Sequence, residues 1–309
     1  MQMIPEVVFP DNVANWKHNL RYHLQTYDTG GCVAFDLSNA NCFLHAIEKL
    51  KCCIAEISQW MSNNKLKLNE DKTEVIIFKT PRSRQDICVD EISLSGSSIK
   101  VSQSVRNIGA IFDETLAMSD HISSICKSAN FHLRNIARIR KFISEDSCKI
   151  LVHSLITSRI DYANATLYGL PVHQLNRLQR ILNNAARVVT LCASDCHISD
   201  ICCKLHWLPI KQRIDFKIIL LTFKALNNSA PLYIKELLKP YIPSRTLRSS
   251  DDLLLNVPKT IHKTTGDRSF SYSEPKLWNN LPVQMRQIKE LSSFKSALKG
   301  HLFSLAYKD

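Results

Sequence analysis

Helical periodicity over residues 118–228 constrains this chain more than any other feature of its sequence. Apolar residues recur there at every third or fourth position, which places them on one face of an α-helix. The pattern predicts four helices, at residues 119–142, 144–158, 171–190 and 209–227. The last of these is apolar on nearly all sides, which is typical of a helix inside a hydrophobic core.

The segment before these helices mixes one long helix with short strands. Residues 22–36 alternate weakly and predict a pair of short strands. A helix then ends at Asn63-Asn64, and its apolar face is formed by Phe43, Ile47, Leu50, Ile54, Ile57 and Met61. Further strands are expected at residues 65–68, 73–78, 87–89, 92–94, 99–101 and 105–112.

Prolines interrupt the remainder of the chain. Six of them break residues 231–282 into short pieces, and a final helix is expected at about 291–306. The fold class predicted is therefore α+β and predominantly α. Its expected parts are an irregular lead-in (1–21), an α+β region (22–113), a helical region (114–228) and a proline-punctuated extension (229–309).

The composition favours a basic protein that meets polyanions. Lys and Arg number 40 and Asp and Glu number 28, a net charge of +12, which suits nucleic acid or an anionic surface. Only 7 glycines occur, and neither GxGxxG nor GxxxxGK[ST] is present, which argues against a glycine-rich nucleotide loop. No secretion signal or bilayer-spanning run is visible. We expect an intracellular protein, cytoplasmic or nuclear, with no membrane partner and with reduced cysteines.

Two predicted helices carry stripes of positive charge. At about 100° per residue, one face of 119–142 collects Lys127, Arg134, Arg138 and Lys141, opposite its apolar face. The polar face of 171–190 collects Asn176, Arg177, Arg180, Asn183, Asn184 and Arg187.

Such stripes have an ordinary interpretation, because most charged helix faces are simply solvated. Two observations favour binding instead. Solvated faces usually mix both signs of charge, and neither 122–141 nor 172–190 contains any Asp or Glu. Asparagine beside arginine also suits phosphate oxygens and sugar hydroxyls. Binding of this kind would show little sequence preference and strong salt dependence.

Other chemistry has little support in the sequence. Cysteine and histidine cluster in residues 192–206, and Cys192 and Cys196 have a tolerable zinc spacing, but no matching second pair follows. Small thiols packed beside Leu205 and Trp207 are the better explanation of this cluster. No GxSxG elbow of a serine hydrolase occurs. We therefore predict no metal site.

Several motifs occur in a characteristic order along the chain. The most specific is W-M-x-x-N-x-L-K-L-N-x-x-K-T-E at residues 60–74. It is followed by S-V-R-N-I-G-A-I-F-D at 104–113, S-R-I-D-Y-A-N at 158–164, L-Y-G-L-P at 167–171, L-H-W-L-P at 205–209, L-R-S-S at 247–250, L-W-N-N-L-P at 277–282 and F-K-x-x-L-K-x-H-L-F at 294–303. The series resembles the C-terminal part of the reverse transcriptases of non-LTR (LINE-type, jockey-like) retrotransposons.

The resemblance implies a partial polymerase palm over 22–113 with a primer-grip-like hairpin, a thumb-like region over 114–228 and a helical extension. It implies that Lys72 is the palm lysine proposed to assist departure of pyrophosphate, although a turn lysine is an equally good interpretation. It also implies that Arg106 lies under the primer end. The two basic stripes fall where a thumb would contact RNA or an RNA–DNA hybrid.

The catalytic carboxylates of such an enzyme are largely missing. The intact family enzyme uses Mg²⁺ held by one early palm aspartate and two adjacent aspartates in a Tyr-Ala-Asp-Asp turn. Here Asp28 keeps only the second of that pair, and Tyr27 and Gln25 replace the first aspartate and the tyrosine. The early aspartate has no counterpart, because Asp11 stands in no matching context. We expect a truncated chain that binds no cofactor and does not polymerise by itself.

Three alternatives remain open from the sequence. The chain could be part of an active RNA-directed DNA polymerase when joined to intact fingers and palm, or when assembled with an intact partner. It could instead be a protein-interaction module without a nucleic-acid role, or a non-functional relic.

Overall fold

The computed structural model describes residues 22–26, 32–35, 40–66, 73–79, 91–94, 97–193, 196–243, 253–260 and 266–307. The chain divides into two compact units, Met1–His121 and Ile122–Asp309. The lead-in 1–21, the expected strand at 87–89 and the motif at 247–250 lie outside the described residues.

Helices dominate the described chain, and the few strands form small sheets, which confirms the α+β, predominantly α class. The strands are β1 (Tyr22–Thr26), β2 (Cys32–Phe35), β3 (Val75–Lys79), β4 (Glu91–Leu94), β5 (Ser97–Ser102), β6 (Ser104–Asn107) and β7 (Ala110–Asp113). The helices are α1 (Ala40–Asn63), α2 (Ser119–Ile139), α3 (Glu145–Val152), α4 (Ser158–Asp161), α5 (Val172–Thr190), α6 (Ile198–Lys204), α7 (Ile210–Leu226), α8 (Leu232–Glu236), α9 (Phe270–Asn279), α10 (Val283–Arg286) and α11 (Leu291–Tyr307).

Strand β3 is the centre of the first unit. The sheet has the order β2-β1-β3-β5-β4, in which β3 pairs antiparallel with β1 and parallel with β5. Val75 and Ile77 pack in a cluster with α1 residues such as Leu50. Ile76 and Phe78 pack against the β6–β7 hairpin. Because successive side chains of a strand point to opposite faces, both faces of β3 are buried, which explains its continuous apolar sequence.

The β6–β7 hairpin turns through Ile108 and Gly109. Asn107 pairs with Ala110, so the loop has two residues, and both have positive φ (44° and 83°). Two-residue hairpin loops favour this backbone, but a β-branched residue adopts it at a cost. The hairpin also holds His121, whose Nδ1 accepts the Ile111 N–H at 3.4 Å. Burial and the nearby Arg106 lower the pKa of His121, which favours the neutral acceptor.

Three helices end in the same way without glycine. Lys65 follows α1 with φ 61°, and its N–H and that of Leu66 donate to Ser62 and Met61. His206 after α6 and Asn228 after α7 have φ 52° and 55° and the equivalent pairs of hydrogen bonds. These are Schellman motifs, in which glycine is the usual left-handed residue. The strand expected at 65–68 is therefore wrong at its first two positions, because Lys65 and Leu66 close helix α1.

The helix expected at 144–158 is longer and less regular than predicted. It begins after Ser144, whose Oγ accepts the Ser147 N–H, and it continues to Asp161 through a π-helical turn at His153–Thr157. Side chains of Ser154, Ser158 and Arg159 donate to carbonyls of the preceding turn. Competing donors of this kind loosen the regular backbone ladder. The other predicted helices match α2, α5, α7 and α11 to within a few residues at each end.

Helix α7 is the core helix of the second unit, as its apolar sequence predicts. It contacts α5, α9 and α11. Phe223 of α7 stacks on Phe294 of α11 with centroids 4.1 Å apart, and Trp278 of α9 joins the same cluster.

Glu274 of α9 lies inside this unit without a partner. Its side chain is 0% exposed, and neither carboxylate oxygen has a hydrogen-bond partner among the described residues. Burial raises the pKa of this carboxyl from 4.5 to about 8. The native state therefore holds a proton between these two pH values that the unfolded state releases, so stability falls as the pH rises through this window.

We predict that Glu274→Met raises the free energy of unfolding by about 1–3 kcal/mol at pH 7.5 and by less at pH 5. The variant removes a buried group that must either stay protonated or be charged without a partner. Urea unfolding followed by tryptophan fluorescence at both pH values measures the difference. Glu236→Met, at an exposed position of α8, is the matched control. Equal effects of Glu274→Met at both pH values would contradict this explanation.

Candidate nucleic-acid interface

Helix α5 and the part of α2 from Ile122 onward belong to the second unit, where hydrogen bonds link them near both ends with the two helices running in the same direction. Near their first turns, Arg177 Nη2 of α5 donates to Ser123 Oγ of α2 at 2.9 Å. Near their last turns, Arg140 directly after α2 donates from Nη2 to the Val189 carbonyl of α5 at 2.7 Å and from Nε to the Val188 carbonyl at 3.0 Å. Two arginines therefore connect the helices at both ends.

Arg140 is the stronger of these connections. Its side chain is only 8% exposed, and its Nη1 also donates to the Ile143 carbonyl at 2.9 Å. The last carbonyls of a helix have no partner within that helix, and its C-terminus attracts positive charge. At the end of α5, the guanidinium of Arg140 provides both hydrogen-bond donors for these carbonyls and a positive charge near the helix C-terminus.

A groove opens between the two connections. Its volume is about 320 Å³, and it is lined by Cys126, Asn130, Arg177, Arg180, Ile181 and Asn184. We call it the α2–α5 groove. The buried Ile181 forms an apolar part of its lining, whereas Arg180 and Asn184 are exposed to solvent. The groove thus combines guanidinium and amide groups from two helices.

Arg177 is held in position within the α2–α5 groove. Besides Ser123, it donates from Nη1 to Gln174 Oε1 at 3.1 Å. Burial raises the pKa of the neighbouring Cys126 thiol, while the charge of Arg177 acts in the opposite direction. The fixed cation and the adjacent amides of Asn130 and Asn184 can together donate several hydrogen bonds to one anion.

The stripe predicted on α2 is exposed to solvent. Lys127, Arg134, Arg138 and Lys141 are all exposed, and Lys141 Nζ lies 4.9 Å from the ring centroid of Phe142. Among the residues that the structure describes, none of these four forms an ion pair, and neither do Arg177, Arg180 and Arg187. The stripe is therefore not neutralised by any described carboxylate.

Two other predicted cations have structural contacts. Arg187 donates to the carbonyls of Ala193 and Cys196 at 2.5 and 3.1 Å, so it holds the chain that follows α5. Arg106 belongs to the first unit and is exposed on β6, where its backbone N–H donates to Glu74 Oε2 at 3.4 Å.

Asp28 and Lys72, the two residues predicted as catalytic, lie outside the described residues. Within the described ranges, no cluster of His, Cys, Asp or Glu has the arrangement of a metal site.

Sequence reasoning missed two residues that position α5 against its neighbours. Arg140 belongs to the same basic segment as Lys141, and only its contacts distinguish it. Gln179 of α5 accepts the Ile210 N–H at 2.9 Å and so caps the start of α7. Neither interaction leaves a signal in periodicity, because each joins residues that are 31 or more positions apart.

Residues of the motifs behind the resemblance make internal contacts in the second unit. Arg213 Nη1 donates to Asp161 Oδ2 at 2.7 Å, and its Nε donates to the Leu208 carbonyl at 2.7 Å, which connects the segments 158–164 and 205–209. Gly169 has φ 67°, and a Cβ at this position would lie 2.6 Å from Arg268. Asn279 exchanges two hydrogen bonds with the backbone of Leu255.

Comparison with models of protein families, with characterised proteins and with solved structures finds no match to this chain. Within the described residues, no helix has the length and apolar character needed to cross a membrane.

We predict that Arg140→Met lowers the free energy of unfolding of the second unit by about 2–4 kcal/mol. The variant removes the donors to the carbonyls of the half-buried Val188 and the buried Val189 at the end of α5. Arg134→Met is the matched control, because it removes an exposed cation with no described ion pair and should change stability by less than about 0.5 kcal/mol. Urea unfolding followed by circular dichroism compares the two, and equal losses would contradict the structural role of Arg140.

Proposed function

We propose that this chain binds RNA or an RNA–DNA hybrid along α2 and the α2–α5 groove, as a protein related to the reverse transcriptases of non-LTR retrotransposons. The observation that carries the proposal is the convergence of Arg177 and Arg180 with amides from both helices in one groove. The motif series at residues 60–303 supports the proposed relationship to reverse transcriptases. The α2–α5 groove supports nucleic acid as the ligand.

The chemistry of the groove favours a phosphate backbone over a carboxylate ligand of defined shape. Arginine and asparagine donate to phosphate and sugar oxygens, and such contacts carry little sequence information. Three cations of α2 and Lys141 of the 3₁₀ turn that follows it extend the positive surface over 14 residue steps, from Lys127 to Lys141. That is about 21 Å along a helix axis, which exceeds the reach of a single phosphate and fits a polymer.

The same chain lacks the groups that polymerisation requires. Two divalent ions at a polymerase centre need several carboxylates to hold them. In the segment that resembles the catalytic turn, Asp28 is the aspartate retained and Tyr27 stands where the first would be. The proposed activity is therefore binding, with no nucleotide transfer by this chain alone.

Charge reversal tests the proposed surface. We predict that Arg134→Glu with Arg180→Glu lowers affinity for a labelled RNA–DNA hybrid at least tenfold. The slope of log affinity against log salt should fall by about two, because two phosphates are no longer neutralised by the protein. Fluorescence anisotropy across a salt series measures both quantities.

The control for that pair is Lys239→Glu with Lys295→Glu, which changes net charge equally at two other exposed positions of the second unit. If both pairs weaken binding alike, total charge and not the proposed surface explains the affinity. If the folded native chain binds no hybrid at low salt, the proposal fails, and the interaction module or the relic becomes the better interpretation.

Primer extension tests the second half of the proposal. With a labelled DNA primer on an RNA template, Mg²⁺ and all four deoxynucleotides, we predict no extension by the purified chain. An active reverse transcriptase serves as the positive control. Incorporation that disappears in an Asp28→Ala variant would belong to this chain and would overturn the prediction.

A further inference from the structure

Exposed aromatic rings interrupt the positive stripe of α2. Phe131 lies four residues after Lys127 and three before Arg134, and Arg138 follows after four more. Residues three and four apart are neighbours on a helix surface. Phe131 therefore shares a face with three cations, and its side chain is 59% exposed. We call Lys127, Phe131, Arg134 and Arg138 the aromatic–basic face.

A second ring stands at the end of the same helix. Phe142 closes the 3₁₀ turn after α2 and is 76% exposed, with the Lys141 ammonium 4.9 Å from its ring centroid. Eleven residue steps separate Phe131 from Phe142, or about 16 Å along a helix axis. Arg134 and Arg138 lie between the two rings in sequence.

The ring of Phe131 is also oriented. It meets the imidazole of His132 edge to face, with centroids 5.4 Å apart and an interplanar angle of 77°. Arg159 Nη2 in turn lies 3.2 Å from His132 Nε2. An edge-to-face contact favours one orientation of the ring, and a side chain with a preferred orientation loses less conformational entropy when a ligand stacks on it.

Binding of phosphates does not explain the exposed rings, because an aromatic ring offers a phosphate oxygen neither a positive charge nor a strong hydrogen-bond donor. Proteins that bind unpaired strands combine cations along the backbone with aromatic side chains that stack on the bases. In a duplex, both faces of each base are already covered by stacking within the helix. The alternation of rings and cations thus matches a strand whose bases are free.

We propose that the aromatic–basic face and Phe142 bind an unpaired RNA strand, with bases stacked on Phe131 and Phe142 and phosphates on Arg134 and Arg138. This inference rests on the proposed function and narrows it, because it assigns α2 to single-stranded RNA rather than to the hybrid alone.

An abasic oligonucleotide separates stacking from charge. The probes are a labelled 12-nucleotide uridine RNA and an abasic strand with the same number of phosphates, titrated against the full chain by fluorescence anisotropy. We expect the uridine strand to bind about tenfold or more tightly than the abasic strand. We expect Phe131→Ala with Phe142→Ala to remove this difference while leaving the salt slope and the abasic affinity unchanged.

Tyr233→Ala is the matched control, because Tyr233 is 66% exposed on α8, outside this surface. Phe131→Trp should retain the preference for uridine RNA. All variants change exposed side chains, and circular dichroism checks that each is folded.

Each outcome decides the matter. Equal binding of both strands by the native chain overturns the stacking inference and leaves the proposed function standing. Absence of binding to uridine RNA, to the abasic strand and to the RNA–DNA hybrid overturns both. If sedimentation shows a dimer that the double alanine variant abolishes, with RNA affinity unchanged, the rings belong to a protein interface and the inference is wrong.

Discussion

The guanidinium of Arg140 is the interaction on which the proposed interface depends. It directly follows α2 and donates to carbonyls in the last turn of α5, so it is the stronger of the two side chains that connect the two basic helices. Both helices carry like charge, and their electrostatic repulsion opposes close approach. A buried cation that is satisfied by carbonyls holds them together without introducing an acid. The groove between them can therefore stay positive along its length.

The sequence predicts individual helices better than it predicts the contacts between them. Periodicity locates α2, α5, α7 and α11 because each has a continuous apolar face. Placing residues at 100° intervals around the helix axis identifies the stripes that contain Arg134 and Arg180. It does not find the π turn at His153–Thr157, which depends on local side-chain donors. Nor does it find the groove, which exists because Arg140 and Arg177 reach another helix. Contacts between distant residues leave no trace in a local pattern.

The motifs of the resemblance and the candidate interface have different physical roles. Asp161, Gly169 and Asn279 belong to the quoted motifs and make internal contacts of the second unit. The groove, Phe131 and Phe142 lie outside every quoted motif. Motif residues of this kind preserve a fold. The surface can change its ligand while those contacts persist, because function depends on the site that a fold presents.

The left-handed residues have a consequence for the behaviour of this protein in a cell. Nine non-glycine residues have positive φ in the described part of the chain, and each left-handed L-residue costs about 1–2 kcal/mol. The net folding free energy of a domain, in which such costs are already included, is about 5–15 kcal/mol, so they are large on the scale of that net value. Any ligand that binds only the native state adds to that net value by mass action. The folded fraction of the protein then rises with the concentration of that ligand.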